Sequence, residues 1–98
     1  PDILTLQARA AGWVEVRDNA GEIVMSRIML PGEIFEAPVD AKMTVSARNA
    51  STVTVFQGGM PLGPLGQDGE IIEDQPLRGR IDAAMQADIM MRATAVPN

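Results

Sequence analysis

The chain contains no cysteine, no histidine and no tyrosine. Those absences exclude zinc sites built on Cys or His, thiol nucleophiles and His-based catalytic triads. The lack of cysteine is equally compatible with a reducing cytosol and with a periplasm. Aromatic residues are scarce: Trp13, Phe35 and Phe56 are the full set. A core must therefore be assembled from Val, Ile, Leu, Ala and the seven Met residues, whose flexible thioethers fill irregular gaps. Positive charge is also in short supply, with 8 basic residues against 13 acidic ones, a net charge of -5 and a pI near 4.5. A protein that grips phosphate backbones shows the opposite balance, so nucleic acid is not an expected partner. No run of about 18 apolar residues occurs, so no segment of this sequence reads as a membrane span.

What is present is ordinary for a globular domain: 46% apolar and 21% charged residues, a mixture that excludes wholesale disorder. Ninety-eight residues allow one core and no second one. The chain opens at Pro1 without a signal-like segment, and it reads as a piece of a longer protein.

The first two-thirds reads as short strands cut by turn residues. Leu4, Leu6, Ala8 and Ala10 alternate with Thr5, Gln7 and Arg9, the period of a half-buried strand. Gly12 interrupts this run, and Trp13–Arg17 resumes it with Val14 and Val16 on one face. Asp18-Asn19-Ala20-Gly21 has the chemistry of a turn, and the run from Glu22 to Leu30 is expected to pair back as a hairpin. Pro31-Gly32 closes that run. Glu33–Ala37 forms a short strand before Pro38, and Met43, Val45 and Ala47 alternate up to an Asn49-Ala50 turn. Val53 and Val55 alternate up to Gly58-Gly59, which suits a two-residue primed turn. Residues 61–69 are dense in Pro and Gly and read as a loop holding at most one short edge strand. Glu70–Glu73 is the last strand, ahead of Pro76.

The character of the chain changes at Pro76. Eleven acidic and five basic residues precede it, while two and three follow from there on. Ile81, Met85 and Ile89 recur at helical spacing, with Ala83, Ala84 and Ala87 between them. A helix this short is marginal alone and must dock on the sheet, on another chain, or fray. The expected architecture is thus all-β: a small sandwich, Ig-like or open-barrel-like, of about seven short antiparallel strands. It occupies residues 3–77, and residues 78–98 form a helical or flexible tail.

Catalysis needs a positioned acid, base or nucleophile, and the candidates are few. Ser26, Ser46 and Ser51 have no Gly-x-Ser-x-Gly context and no partner base, so they read as ordinary strand or turn hydroxyls. Glu33/Glu36 and Glu73/Asp74 are the residue types of glycosidic acid–base work, but nothing in their spacing pairs them. Asp18–Glu22 and Asp68–Glu70 lack the alternating ligands of a calcium loop, and Gly58-Gly59 lacks the Lys-Ser/Thr of a phosphate loop. The expectation is a non-enzyme without catalytic, metal or cofactor site. Trp13 and Phe56 fall out of phase with the aliphatic faces of their strands. Each is a candidate partner contact, since aromatics dominate interface hot spots. The competing reading is packing in a second layer or under the tail.

The order of these segments carries a further signal. Leu4–Ala10, then Gly12-Trp13-Val14-Glu15-Val16-Arg17-Asp18, Gly21 and Leu30-Pro31-Gly32-Glu33 resemble the C-terminal periplasmic domain of the RodZ family of bacterial cell-shape proteins. The likeness continues through Pro38, Met43–Ala47, Asn49-Ala50, Val53-Thr54-Val55, Gly59 and Gly69, and covers roughly residues 3–77. Two departures stand out: Arg48 replaces the Gly common before the Asn-Ala turn, and the tail after Leu77 has no counterpart.

The resemblance implies a parent with a cytoplasmic helix-turn-helix domain bound to the MreB filament, one membrane span, a linker and this domain in the periplasm. It implies a role in linking that filament to lateral wall synthesis, with MreC, MreD or elongation penicillin-binding proteins as neighbours. It brings no catalytic residues. Two rival expectations are a glycan- or peptidoglycan-binding sandwich and a structural spacer or self-association domain.

Overall fold

The computed structural model describes residues 3–82 and Gln86. Eight strands follow in chain order: β1 (Ile3–Ala8), β2 (Gly12–Arg17), β3 (Ile23–Met29), β4 (Ile34–Pro38), β5 (Thr44–Ala47), β6 (Val53–Gln57), β7 (Met60–Pro64) and β8 (Ile72–Pro76). They form two four-stranded antiparallel sheets, ordered β4-β1-β6-β7 and β3-β2-β5-β8. The sheets pack as a sandwich, with a short helix beginning at residue 77.

Alternation along the strands decides which side chains enter. Leu6 and Ala8 of β1, in line with Leu4, sit opposite Val55 and Val53 of β6, and Val14 and Val16 of β2 sit opposite Ala47 and Val45 of β5. All are buried, together with Met29, Leu65, Ile72, Leu77 and Ile81. Each aliphatic side chain so enclosed contributes roughly 1.5–3 kcal/mol relative to exposure. Phe35 is the one aromatic packed against this cluster; its register partner is Leu6.

One strand more than the seven or so expected, β7 is the short edge strand that the Pro- and Gly-rich segment had room for. Gly58 and Gly59 both take positive φ (58° and 81°), the primed geometry expected of that turn, and Gln57 pairs with Met60 across it. Pro61 and Pro64 are tolerated because β7 is the last strand of its sheet and needs ladder bonds on one side only. The first strand stops two residues earlier than its alternation runs. Ala8 N–H donates to Glu33 O and Arg9 N–H to Thr52 O, which turns the chain away before Ala10. The last strand runs to Pro76 and carries a bulge. Ile72 pairs with Ala47 and Gln75 with Val45, leaving Glu73 and Asp74 opposite Ser46. Asp74 has φ 46°, and its N–H donates to the buried Ser46 Oγ at 2.8 Å, replacing the ladder bond that the bulge removes.

The sandwich has two lateral sides. β3 leaves one sheet and β4 enters the other through the four residues 30–33, a reach of about 14 Å, so both edge strands lie on the same side. β7 and β8 are the edges of the opposite side. There the helix closes the gap: Leu77 and Ile81 are buried to 1% and 0% exposure. Arg80 anchors it, donating to Leu65 O at 3.3 Å and to Glu70 Oε2 at 2.6 Å. Ile81 is the first residue of the helical stripe read from the sequence, while Met85, Ile89 and most of the expected 78–98 tail lie outside the described residues.

Candidate interaction surface

Trp13 and Phe56 project from the sandwich on opposite faces. Trp13 precedes the inward Val14, sits on the outer face of the β3-β2-β5-β8 sheet and is half-buried. Phe56 follows the inward Val55, sits on the outer face of the other sheet between Thr5 and Pro61, and is also half-buried. The structure therefore does not bring the two aromatics together.

The Trp13 face is the more elaborate. Arg48, at the position where a Gly was expected, holds its guanidinium 5.4 Å from the Trp13 ring centroid. Further along the same face, Arg17 lies 3.3 Å from Glu15 and 3.9 Å from Asp74. Ion pairs at a sheet surface add little to stability, but these fix the charge pattern of the face. In register with Trp13 stands Ile28 of β3, 61% exposed.

Ile28 belongs to a set that reading by strand alternation passed over. Ile23, Val24, Ile28, Leu30 and Ile34 are all exposed large aliphatics within one twelve-residue stretch spanning β3, its turn and β4. The only other exposed large hydrophobics among the described residues, Ile3, Met60 and Ile71, are scattered elsewhere. The sequence does hold a signal. Ile23-Val24-Met25 and Ile28-Met29-Leu30 are unbroken apolar triplets, so both faces of the strand are apolar, as in strands covered on both sides. Tertiary placement puts this strand at an edge instead. Its one charge, Arg27, opposes the inward Val14 and lies 3.7 Å from Glu33, an inward-pointing charge of the kind that guards edges against indiscriminate pairing.

Four of the carboxylates considered for chemistry, Asp18, Glu33, Asp68 and Glu70, bond to turns and loops. Asp18 Oδ1 accepts from Ala20 N–H and Glu22 N–H, both at 2.9 Å. Glu33 Oε1 accepts from Leu30 N–H at 2.7 Å. Asp68 Oδ1 accepts from Ser51 Oγ at 3.2 Å, next to Asn49, whose Oδ1 caps the 3-10 turn Ala50–Thr52. Glu70 accepts from Gln67 N–H and from Arg80, and these two bonds hold its carboxyl below the ordinary value of 4.5. No group of three or more acidic side chains among the described residues is arranged to hold a metal ion. At the end of the sandwich a groove of about 560 Å³ opens between the Asp18-Asn19 turn, the segment 39–44, Pro76 and Arg78. Its lining mixes two acids with two bases, and Arg78 donates to Val39 O across it.

Fold and surface together define a small β-sandwich module with an aliphatic lateral edge. The family model of the RodZ C-terminal domain matches residues 5–73, from β1 into β8, and the chain belongs to that family. It is a non-catalytic family, and membership associates the chain with the RodZ cell-shape system. No characterised protein and no solved structure matches the chain significantly. No helix among the described residues is long and apolar enough to cross a membrane.

Proposed function

We propose that this domain is the periplasmic interaction module of a membrane-anchored cell-shape protein, coupling a cytoplasmic MreB filament to lateral wall synthesis without catalysing a reaction itself. The family match over residues 5–73 carries this reading. The partners it implies are elongation proteins: MreC, MreD or penicillin-binding proteins. Contact is made by surface side chains of the sandwich, with Trp13 and Phe56 as anchors on separate faces, so one small partner engages one of them. The Trp13 face is the stronger candidate because exposed Ile28 extends its apolar surface across the adjacent strand. A glycan ligand fits this face less well, since Arg48 already lies over the indole.

The test is complementation. In cells lacking the parent protein, the full-length parent carrying Trp13→Ala should be made at normal level, keep its thermal midpoint as a purified domain within a few degrees, and fail to restore rod shape. Phe56→Ala should restore it. Full rescue by Trp13→Ala would remove that residue from the contact. Loss of rescue accompanied by collapse of the thermal midpoint would assign it to packing.

A further inference from the structure

The sandwich has four edge strands, and three of them are blunted. β4 ends in Pro38, β7 carries Pro61 and Pro64, and β8 carries a bulge and Pro76 before it leads into the helix. β3 holds neither proline nor lysine and, among the described residues, pairs with β2 alone. Its pairing is regular from Met25 to Met29, past the extra residue Val24. Alternate residues of that stretch turn their N–H and C=O groups toward the open side, a template for one more strand.

The side chains of the same stretch say what that strand must carry. Ser26 and Ile28 lie on the outer face with their register partners Glu15 and Trp13, while Met25 and Arg27 lie on the inward face, opposite Val16 and Val14. Arg27 is the one charge of the strand, and its side chain is 49% exposed. Glu33 balances it only from 3.7 Å, beyond hydrogen-bond distance, and the other oxygen of that carboxylate accepts from Leu30 N–H. The guanidinium fork is thus open to a bidentate acceptor. A strand placing an apolar residue there would bury the charge without a partner, whereas a carboxylate would complete the pair. Next to it, exposed Ile28 and half-buried Met25 each call for an apolar neighbour.

We infer that β3 is the docking edge for an extended segment of a different protein, added antiparallel along Met25–Met29, with a carboxylate against Arg27 and apolar residues against Ile28 and Met25. Ladder bonds supply affinity of little sequence dependence, and the side-chain positions supply the choice of partner. The chain's net charge of -5 disfavours a polyanionic segment, so a single carboxylate placed by register is what the edge selects. The segment's outer apolar residue then continues the row Ile28–Trp13, which Arg48 closes on its far side. The existence of a partner rests on the interaction-module reading. Binding of a peptide to the isolated chain is independent of rod-shape rescue, so the two can fail separately.

The probe is a short capped peptide whose centre reads threonine, isoleucine, glutamate, threonine, valine, so that glutamate faces Arg27 when isoleucine faces Ile28. Added to the 98-residue chain, it should slow amide exchange within Met25–Met29 and leave β8 unaffected. Glutamine in place of its glutamate should weaken binding about fivefold or more. Arg27→Glu should reverse the preference, so that a peptide with lysine at that position binds better than the glutamate peptide. The glutamine comparison needs no variant and decides the matter if Arg27→Glu does not fold. No binding at about millimolar peptide, equal affinity for the glutamate and glutamine peptides, or protection confined to other strands would overturn the proposal. So would sedimentation of the chain with phosphatidylethanolamine–phosphatidylglycerol vesicles that Ile28→Thr abolishes, which would give this side to a lipid surface. Protection of β3 that rises with the chain's own concentration and excludes the peptide would likewise overturn it, in favour of a second copy.

Discussion

The two lateral sides of this sandwich face the same physical problem and meet it differently. Between β7 and β8 the chain supplies its own cover: the helix lays Leu77 and Ile81 into the core, and Arg80 ties it to the connection between those strands through Leu65 O and Glu70. Between β3 and β4 the described residues supply only a tight turn, and among them Ile23, Ile28, Leu30 and Ile34 are exposed. Since single exposed aliphatics are normal but a concentrated group is the mark of an interaction site, the difference separates a stability side from the side proposed for contact. The same element type, an edge strand, is structural where the chain returns to cover it and available for binding where it does not.

The comparison breaks if the helix side does not dominate stability. Ile81→Ala should cost about 2–5 kcal/mol, because a fully enclosed side chain is removed and a cavity left behind. For a domain of this size that lowers the thermal midpoint by roughly 10 °C or more. A change of only a degree or two would mean that the helix merely rests on the sandwich.

Gly66→Ala probes the anchor of the same side. A β-carbon there would stand 2.5 Å from Glu70 Oε1, 2.6 Å from the buried Ala50 Cβ and 2.8 Å from Arg80 Nη2. The glycine is required by close approach, since the backbone cannot yield without moving Ala50. A loss of about 1–3 kcal/mol is expected in denaturant unfolding, as for other overpacked sites.

A smaller effect tests the Glu70–Arg80 tie by pH. The carboxyl of Glu70 is lowered first by the Gln67 N–H and then by Arg80. Its contribution is therefore present above the ordinary value of 4.5 and is lost as the pH falls through the lower, folded value. Glu70→Gln should lower the thermal midpoint modestly near neutrality, where the contribution is present, and the two proteins should converge as the pH falls below 4.5, so that the variant's acid profile is flatter. An identical acid profile for the two proteins would show that the pair is screened out.

The smallest effect belongs to the contact side. Ile28→Thr should alter stability by no more than about 0.5 kcal/mol in equilibrium unfolding, since its side chain is mostly exposed already. A loss approaching that of Ile81→Ala would erase the distinction between the two sides.

Much of the fold was legible because alternation is a local property. Leu4, Leu6 and Ala8, Val14 and Val16, and Val53 and Val55 announce their buried faces without knowledge of their partners. The Gly58-Gly59 turn is equally local, since only positive φ at both positions closes that hairpin with the right twist. β7 was harder to read because its prolines speak against a strand in general, and only its edge position makes them harmless. The bulge in β8 rests on Ser46, twenty-eight residues from the Asp74 N–H that it satisfies. No local pattern reports such a pairing.

The candidate surface was less legible still. Trp13 and Phe56 stand out in the sequence as aromatics out of phase, and both do lie on outer faces. Their alternation says nothing about which sheet each strand joins, so their separation onto opposite faces emerges only from strand order. The apolar triplets of β3 were visible too, but an apolar run has the same sequence whether it is covered or bare.

The sequence by itself determined the all-β class, the inward faces of the main strands, the turns made by Gly and Asp, and the order of segments that the RodZ C-terminal domain family shares. Each of these depends on residues close together in the chain or on composition. Only the tertiary structure decided which strands became edges, which edge the helix covered, and where the aliphatic residues of β3 came to face. Those outcomes depend on pairings between distant segments, and burial is a property of what lies opposite a side chain rather than of the side chain itself.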